Sequence, residues 1–131
     1  MKLSVCIIDD DLVSQFATIY RIEQSNVECS VVSYDSAMEG LEMLIERKKN
    51  KQKIPDILLL DLIMPGMDGW EFLNRLRIIF GKKPSIEVYV LSAFNNSKDR
   101  ERAKNHPLVQ GYFDKPLSKD NLERIFKSRK V

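Results

Sequence analysis

Residues 54–61, Ile54-Pro55-Asp56-Ile57-Leu58-Leu59-Leu60-Asp61, carry consecutive leucines with no alternating polar positions before they end in an aspartate. A strand without a polar face is covered on both sides, which is the situation of a central strand in a parallel sheet flanked by helices. Working outward, short β-rich apolar runs alternate with helical patterns, the sequence sign of βαβ units. Toward the N-terminus, Leu3 to Ile8 reads as the first strand. It is followed by Leu12, Val13, Phe16, Ile19 and Tyr20 at helical spacing, a stripe predicted to lie on the sheet. The second strand falls within Val27 to Tyr34, and Ser36 with Glu39 forms a capping box for a helix with Met38, Leu41, Leu44 and Ile45 inward. Toward the C-terminus, Asp68 or Gly69 starts a helix carrying Phe72, Leu73, Leu76, Ile79 and Phe80, closed by Gly81 and Pro84. A strand from Ile86 to Ser92, a polar helix from about Ser97 to Asn105 and a strand from about Val109 to Phe113 come next. Ser118 caps a last helix with Leu122, Ile125 and Phe126 inward. The prediction is an α/β fold with a doubly wound, five-stranded parallel sheet.

The 131 residues include 21 Lys+Arg and 19 Asp+Glu, a net charge of +2, with 44% apolar content. That is enough for one core and one domain. Mixed charges argue against electrostatically driven nucleic-acid binding, and the longest apolar run, Ile57 to Leu60, is far short of the ~20 residues of a membrane span. The apolar stretch after Lys2 reaches acid too early for a secretory signal, so the expected setting is cytoplasmic, without nucleic acid or membrane as a partner. Cys6 and Cys29 lie in β-like segments outside any metal or redox spacing and read as free buried thiols. The basic run Arg47 to Lys53 reads as a solvated loop.

Open parallel sheets bind ligands beyond the carboxyl ends of their strands. Here the first strand ends in Asp9-Asp10-Asp11, the third in Asp61 and the fourth in Ser92, while the fifth runs into Lys115-Pro116. Taken singly, these are ordinary cap and turn residues; together on one edge they form a site. Carboxylates held ~4 Å apart repel by about 4 kcal/mol per pair at an effective dielectric near 20, so the cluster calls for a cation. A hard oxygen pocket suits Mg²⁺, with Mn²⁺ as the possible alternative, whereas zinc would want His or Cys. A remaining aspartate is ionised at neutral pH and needs no base to act as a nucleophile. Lys115 and Ser92 supply a charge and a hydroxyl for the other oxygens of a phosphoryl group, the positioning and charge stabilisation that phosphoryl transfer requires.

These residues resemble the receiver domains of two-component response regulators, of the bacterial chemotaxis receiver type, over almost the whole chain. The most specific stretch is Asp61-Leu62-Ile63-Met64-Pro65-Gly66-Met67-Asp68-Gly69, which looks like the family's phosphoacceptor loop. Ile7-Ile8-Asp9-Asp10, Leu91-Ser92-Ala93 and Gly111-Tyr112-Phe113-Asp114-Lys115-Pro116 follow in the family's order. The resemblance implies a flavodoxin-like strand order 2-1-3-4-5 with helices on both faces. It implies that Asp61 accepts the phosphoryl group, that Asp9, Asp10, Asp61 and the Ile63 carbonyl hold Mg²⁺, and that Lys115 pairs with the phosphoryl. It also implies a cis peptide at Pro116, a cap at Asp11, and a switch in which Ser92 moves toward the phosphoryl and Tyr112 turns inward. Three departures stand out: the long basic loop, His106-Pro107-Leu108 where Gly-Ala is common, and a Ser92 to Lys115 spacing one residue longer than usual. His106 reads as a polar helix-end residue and not as a phosphorelay histidine.

After Leu117 only 14 residues remain, so a stand-alone receiver over 1–131 without an output domain is expected. The expected donor is a histidine kinase or histidine phosphotransfer protein, and the output is contact with an unidentified protein partner through the surface around Tyr112. Ile63 and Phe94, bulky and apolar beside the reaction path, should hinder an attacking water and slow self-dephosphorylation. The competing readings are a Mg²⁺-dependent aspartyl-phosphate hydrolase and a phosphorylation-independent scaffold. The first lacks an acid two residues after Asp61 to protonate a leaving alkoxide, and the second is at odds with a complete acidic site.

Overall fold

The leucine run at the centre of the chain becomes the central strand. A computed structural model describes residues 2–93 and 97–129. It contains strands β1 (Leu3–Ile8), β2 (Cys29–Tyr34), β3 (Ile57–Asp61), β4 (Glu87–Ser92) and β5 (Val109–Asp114). Between and after them lie helices α1 (Leu12–Glu23), α2 (Ala37–Lys49), α3 (Gly69–Phe80), α4 (Ser97–Lys104) and α5 (Lys119–Arg129). The sheet is parallel throughout, in the order β2-β1-β3-β4-β5, and every residue of β3 is buried. One face packs Leu58 and Leu60 against α2, α3 and α4 through Leu44, Phe72 and Ala103. The other packs Leu59 and Leu91 against α1 and α5 through Ile22 and Ile125.

The caps fall where the sequence places them. Asp11 accepts the Val13 and Ser14 amides, Ser36 the Glu39 amide, Asp68 the Glu71 amide and Ser118 the Asn121 amide. Gly81, at φ 86°, ends α3 in a conformation open to glycine. The register of β4 with β5 shifts between Val88 and Tyr89, whose partners are Val109 and Gly111, so Gln110 is the extra residue of a bulge. That bulge takes up one residue between Ser92 and Lys115 and restores pairing as far as Ser92 with Asp114.

Three expectations are corrected. In α1 the periodic stripe faces outward: Leu12, Phe16 and Tyr20 are exposed and Val13 is 77% exposed, while Gln15, Thr18 and Ile22 are buried and Ile19 is half-buried. Periodicity reports that a stripe exists, and polar groups at the end of β1 claimed the opposite face of this helix. In α2, Met38 and Ile45 are likewise exposed, leaving Ala37, Gly40, Leu41 and Leu44 inside. The basic run is only half loop, because α2 continues through Lys49. There Lys48 donates to the Ile79 carbonyl at the end of α3 and lies over the Phe80 ring, and Arg47, Lys48 and Lys49 fill the last turn of α2, where cations complement the helix dipole. Cys6 is buried, which pushes its thiol up to about 12, and Cys29 is half-buried; both are free.

His106 follows α4. Its Nδ1 accepts the Leu108 amide at 3.1 Å and its ring lies 6.4 Å from that of Trp70. Burial, then the charges of Arg77 and Arg102, hold it below the ordinary histidine value of 6.5. The unfolded chain therefore binds this proton first, and His106 contributes stability above 6.5 that is lost as pH falls toward its depressed folded value. His106→Asn, which keeps an acceptor for Leu108, is expected to flatten the loss of urea resistance between about pH 7.5 and about pH 5.5.

Candidate functional site

Parallel strands deliver their carboxyl ends to one edge, and there β1, β3, β4 and β5 bring the predicted residues together. Asp9, at the end of β1, is buried, as are Asp61 and Ser92; Asp10 is exposed. One carboxylate oxygen from each of Asp9, Asp10 and Asp61 lies within 4.8 Å of the others. Lys115 bridges the buried pair, its Nζ 2.8 Å from Asp9 Oδ2 and 3.2 Å from Asp61 Oδ2. Its amide donates to the Ser92 carbonyl at 2.8 Å, tying the residue after β5 to the end of β4, and the Lys115-Pro116 peptide is cis.

The opposing charges set the ionisation of the pair. Burial raises the Asp61 carboxyl above the ordinary aspartate value, the Lys115 charge opposes that rise and the Asp9 charge adds to it. Burial disfavours the Lys115 ammonium, but the Asp9 hydrogen bond and both carboxylate charges outweigh it and hold Lys115 above the ordinary lysine value.

The loop after Asp61 is shaped by short-range contacts. The Ile63 amide donates to Asp61 Oδ1 at 3.3 Å, Gly66 turns the chain at φ 75°, and the Gly69 amide returns to the Leu62 carbonyl at 2.9 Å. Ile63, expected to shield the reaction path, is 52% exposed. Phe94, its expected counterpart, lies outside the described residues. Tyr112 is not in the acidic cluster; it is half-buried on β5 with the Arg100 guanidinium 4.8 Å from its ring. The same guanidinium pairs with Asp114 at 3.1 Å, so one arginine clasps α4 to two residues on the same face of β5.

Sequence reasoning missed the polar residues that hold Asp9. Ser14 Oγ donates to Asp9 Oδ2 at 2.6 Å, and the buried Gln15 side chain donates through Nε2 to the Asp9 carbonyl at 2.6 Å and the Tyr34 carbonyl at 3.3 Å. The signal was present as polar residues on the face of α1 opposite its apolar stripe. Arg100 was also missed, since nothing in the spacing of an exposed arginine marks its partner.

The donor set is all carboxylate oxygen on a sheet edge, with hydroxyl and ammonium groups beside it, which fits a hard divalent cation. The model of the response regulator receiver domain matches residues 5–127. The chain belongs to the response regulator receiver family. A two component response regulator from Cytophaga hutchinsonii superposes on this receiver with a TM-score of 0.90 at 27% identity, covering 98% of this chain and 97% of that one. A probable transcriptional regulator, ycf29, of Porphyra purpurea is 33% identical over 98% of this chain and 56% of its own length. The sensor histidine kinase CheAY of Helicobacter pylori is 34% identical over 70% of this chain and 11% of its own. The receiver spans about half the length of the first curated regulators it matches, 56% and 53%. Receiver domains serve as phosphoacceptors, generally bind Mg²⁺ at an acidic pocket, and interact with histidine kinases or phosphotransfer proteins.

Proposed function

We propose that this receiver takes a phosphoryl group on Asp61 from a phosphohistidine donor, a histidine kinase or histidine phosphotransfer protein, in a Mg²⁺-dependent reaction, and signals by protein contact. The observation that carries it is the Lys115 ammonium shared between Asp9 and Asp61, 2.8 and 3.2 Å away, at the bottom of an all-carboxylate cluster. An Asp61 oxygen attacks phosphorus, the P–N bond to the donor imidazole breaks, and the imidazole keeps the bonding pair and a proton. Lys115 leaves the carboxylates for a phosphoryl oxygen, and Ser92 donates to another. Asp9, Asp10, Asp61 and the Ile63 carbonyl would hold Mg²⁺, which supplies charge neutralisation for the carboxylates and phosphoryl oxygens. Movement of Ser92 then draws Tyr112 inward, which requires the Arg100 clasp to give, and changes the surface offered to a downstream protein. Self-dephosphorylation is slow because Ile63, with Phe94, hinders water; the domain is a switch and not a turnover enzyme. Two free thiols fit a cytoplasmic setting.

The outward stripe on α1 supports a protein donor. Leu12 directly follows the acidic residues, and Val13, Phe16 and Tyr20 continue as exposed apolar surface over about 12 Å of helix. Exposed apolar surface next to the acidic residues is suited to a protein partner.

The test is intact-protein mass after incubation with acetyl phosphate or phosphoramidate. One phosphoryl adduct is expected in the wild type with Mg²⁺, and none without Mg²⁺ or in Asp61→Asn; an adduct in Asp61→Asn overturns the reading. Val13→Ser with Phe16→Ser is expected to slow transfer from a phosphohistidine protein about tenfold more than labelling by acetyl phosphate.

A further inference from the structure

We infer that Ser14 is a positioning residue for Asp9, keeping that carboxylate aimed into the acidic pocket as Lys115 comes and goes. The inference rests on the reading of the pocket as a Mg²⁺ site. Asp9 Oδ1 is taken by the Asp11 amide at 3.0 Å, and Oδ2 accepts from both Ser14 Oγ at 2.6 Å and Lys115 Nζ at 2.8 Å. Lys115 also reaches Asp61 at 3.2 Å, so one ammonium serves two buried carboxylates. When Lys115 turns to a phosphoryl oxygen, Oδ2 loses one of its two donors. A carboxylate that is 2% exposed cannot replace that donor with bulk water at no cost. The Ser14 hydroxyl is the partner that stays, because its helix is fixed to β1 separately. The Gln15 side-chain amide clamps the Asp9 carbonyl at 2.6 Å and the Tyr34 carbonyl at 3.3 Å. Without Ser14, Asp9 Oδ2 closes on Lys115 alone, and a cation entering the pocket must break a tighter ion pair against a less oriented ligand.

The test is a titration of the full chain with Mg²⁺ alone, followed by the amide shifts of Asp10 and Ile63 in NMR spectra, with metal-free urea stability measured in parallel. Ser14→Ala is expected to weaken Mg²⁺ binding about tenfold, the low end of effects seen when a residue orienting a metal ligand is removed. Ser14→Thr, which keeps the hydroxyl, is expected to stay within about twofold of the wild type. A Ser14 that served only helix α1 would lower urea stability and leave the Mg²⁺ titration unmoved, which overturns the inference. Ser14→Thr failing as badly as Ser14→Ala overturns it as well. A wild type whose amides do not respond to Mg²⁺ overturns the metal-site reading and the inference together, whereas a responsive wild type with an equally responsive Ser14→Ala overturns the inference alone.

Discussion

Lys115→Met is expected to lower the stability of the metal-free protein at neutral pH by about 3–5 kcal/mol, the usual cost of removing one partner from a buried ion pair. The reason is local. Asp9 and Asp61 are both buried at the end of neighbouring strands, and the ammonium 2.8 and 3.2 Å away is the cation they share in this structure. Methionine fills a similar volume, so the loss is of charge and not of packing. Two conditions should recover it. Mg²⁺, which binds only the folded pocket, is expected to stabilise the variant more than the wild type. Mild acid should do the same by another route. Asp61 is held above the ordinary value of 3.8, so the folded state takes its proton first, and stability rises as pH falls from the folded value toward 3.8. With the opposing Lys115 charge gone, that rise begins at higher pH and is steeper. Urea midpoints with and without Mg²⁺, at neutral and mildly acid pH, check all of this; equal midpoints at neutral pH without metal would refute it.

The topology and the acidic pocket were legible because each rests on residues whose chemistry admits few arrangements. The run Leu58-Leu59-Leu60 has nowhere to lie but between two layers, and β3 is buried along its whole length. Asp9, Asp61, Ser92 and Lys115 sit at strand ends, so a parallel sheet brings them to one edge whatever the loops do. The orientation of α1 was not legible. Its apolar residues have the helical period, and period alone cannot tell a stripe that meets the sheet from one that meets a partner. What decided it was long-range: the Asp9 carboxylate and the Asp9 and Tyr34 carbonyls at the strand ends need donors, and Ser14 and Gln15 supply them. Buried polar groups must be satisfied, while an exposed leucine costs only its transfer free energy. The Arg100 clasp was hidden for a similar reason, since a cation on a polar helix finds Tyr112 and Asp114 only after β5 has been placed beside it. The bulge at Gln110 was visible only as an extra residue between Ser92 and Lys115, with no sign of where the chain absorbs it.

Gly69→Ala is expected to cost at least about 3 kcal/mol, the upper end of what overpacking a core position costs, and to impair phosphoryl transfer with it. The position is not special for its backbone angle. It is special for proximity, because a Cβ there would meet the Leu62 Cα at 2.7 Å and the Asp61 carbonyl oxygen at 2.8 Å. Both are main-chain atoms, so no side chain can swing away to make room. The Gly69 amide also holds the Leu62 carbonyl at 2.9 Å, which docks the first turn of α3 directly on the end of β3. Inserting a methyl group must therefore move the phosphoacceptor's own peptide, or the helix that carries Phe72, Leu73 and Leu76 into the core. Gly66 makes the contrast. At φ 75° it has open space around its missing Cβ, so Gly66→Ala meets only the backbone penalty of the left-handed region, on the order of 1 kcal/mol, and Gly66→Asn less. Urea denaturation should separate the two glycines clearly, and acetyl phosphate labelling should fall in Gly69→Ala while persisting in Gly66→Asn. If Gly69→Ala matched the wild type in both, the close approach of α3 to β3 would not be what sets the position of Asp61.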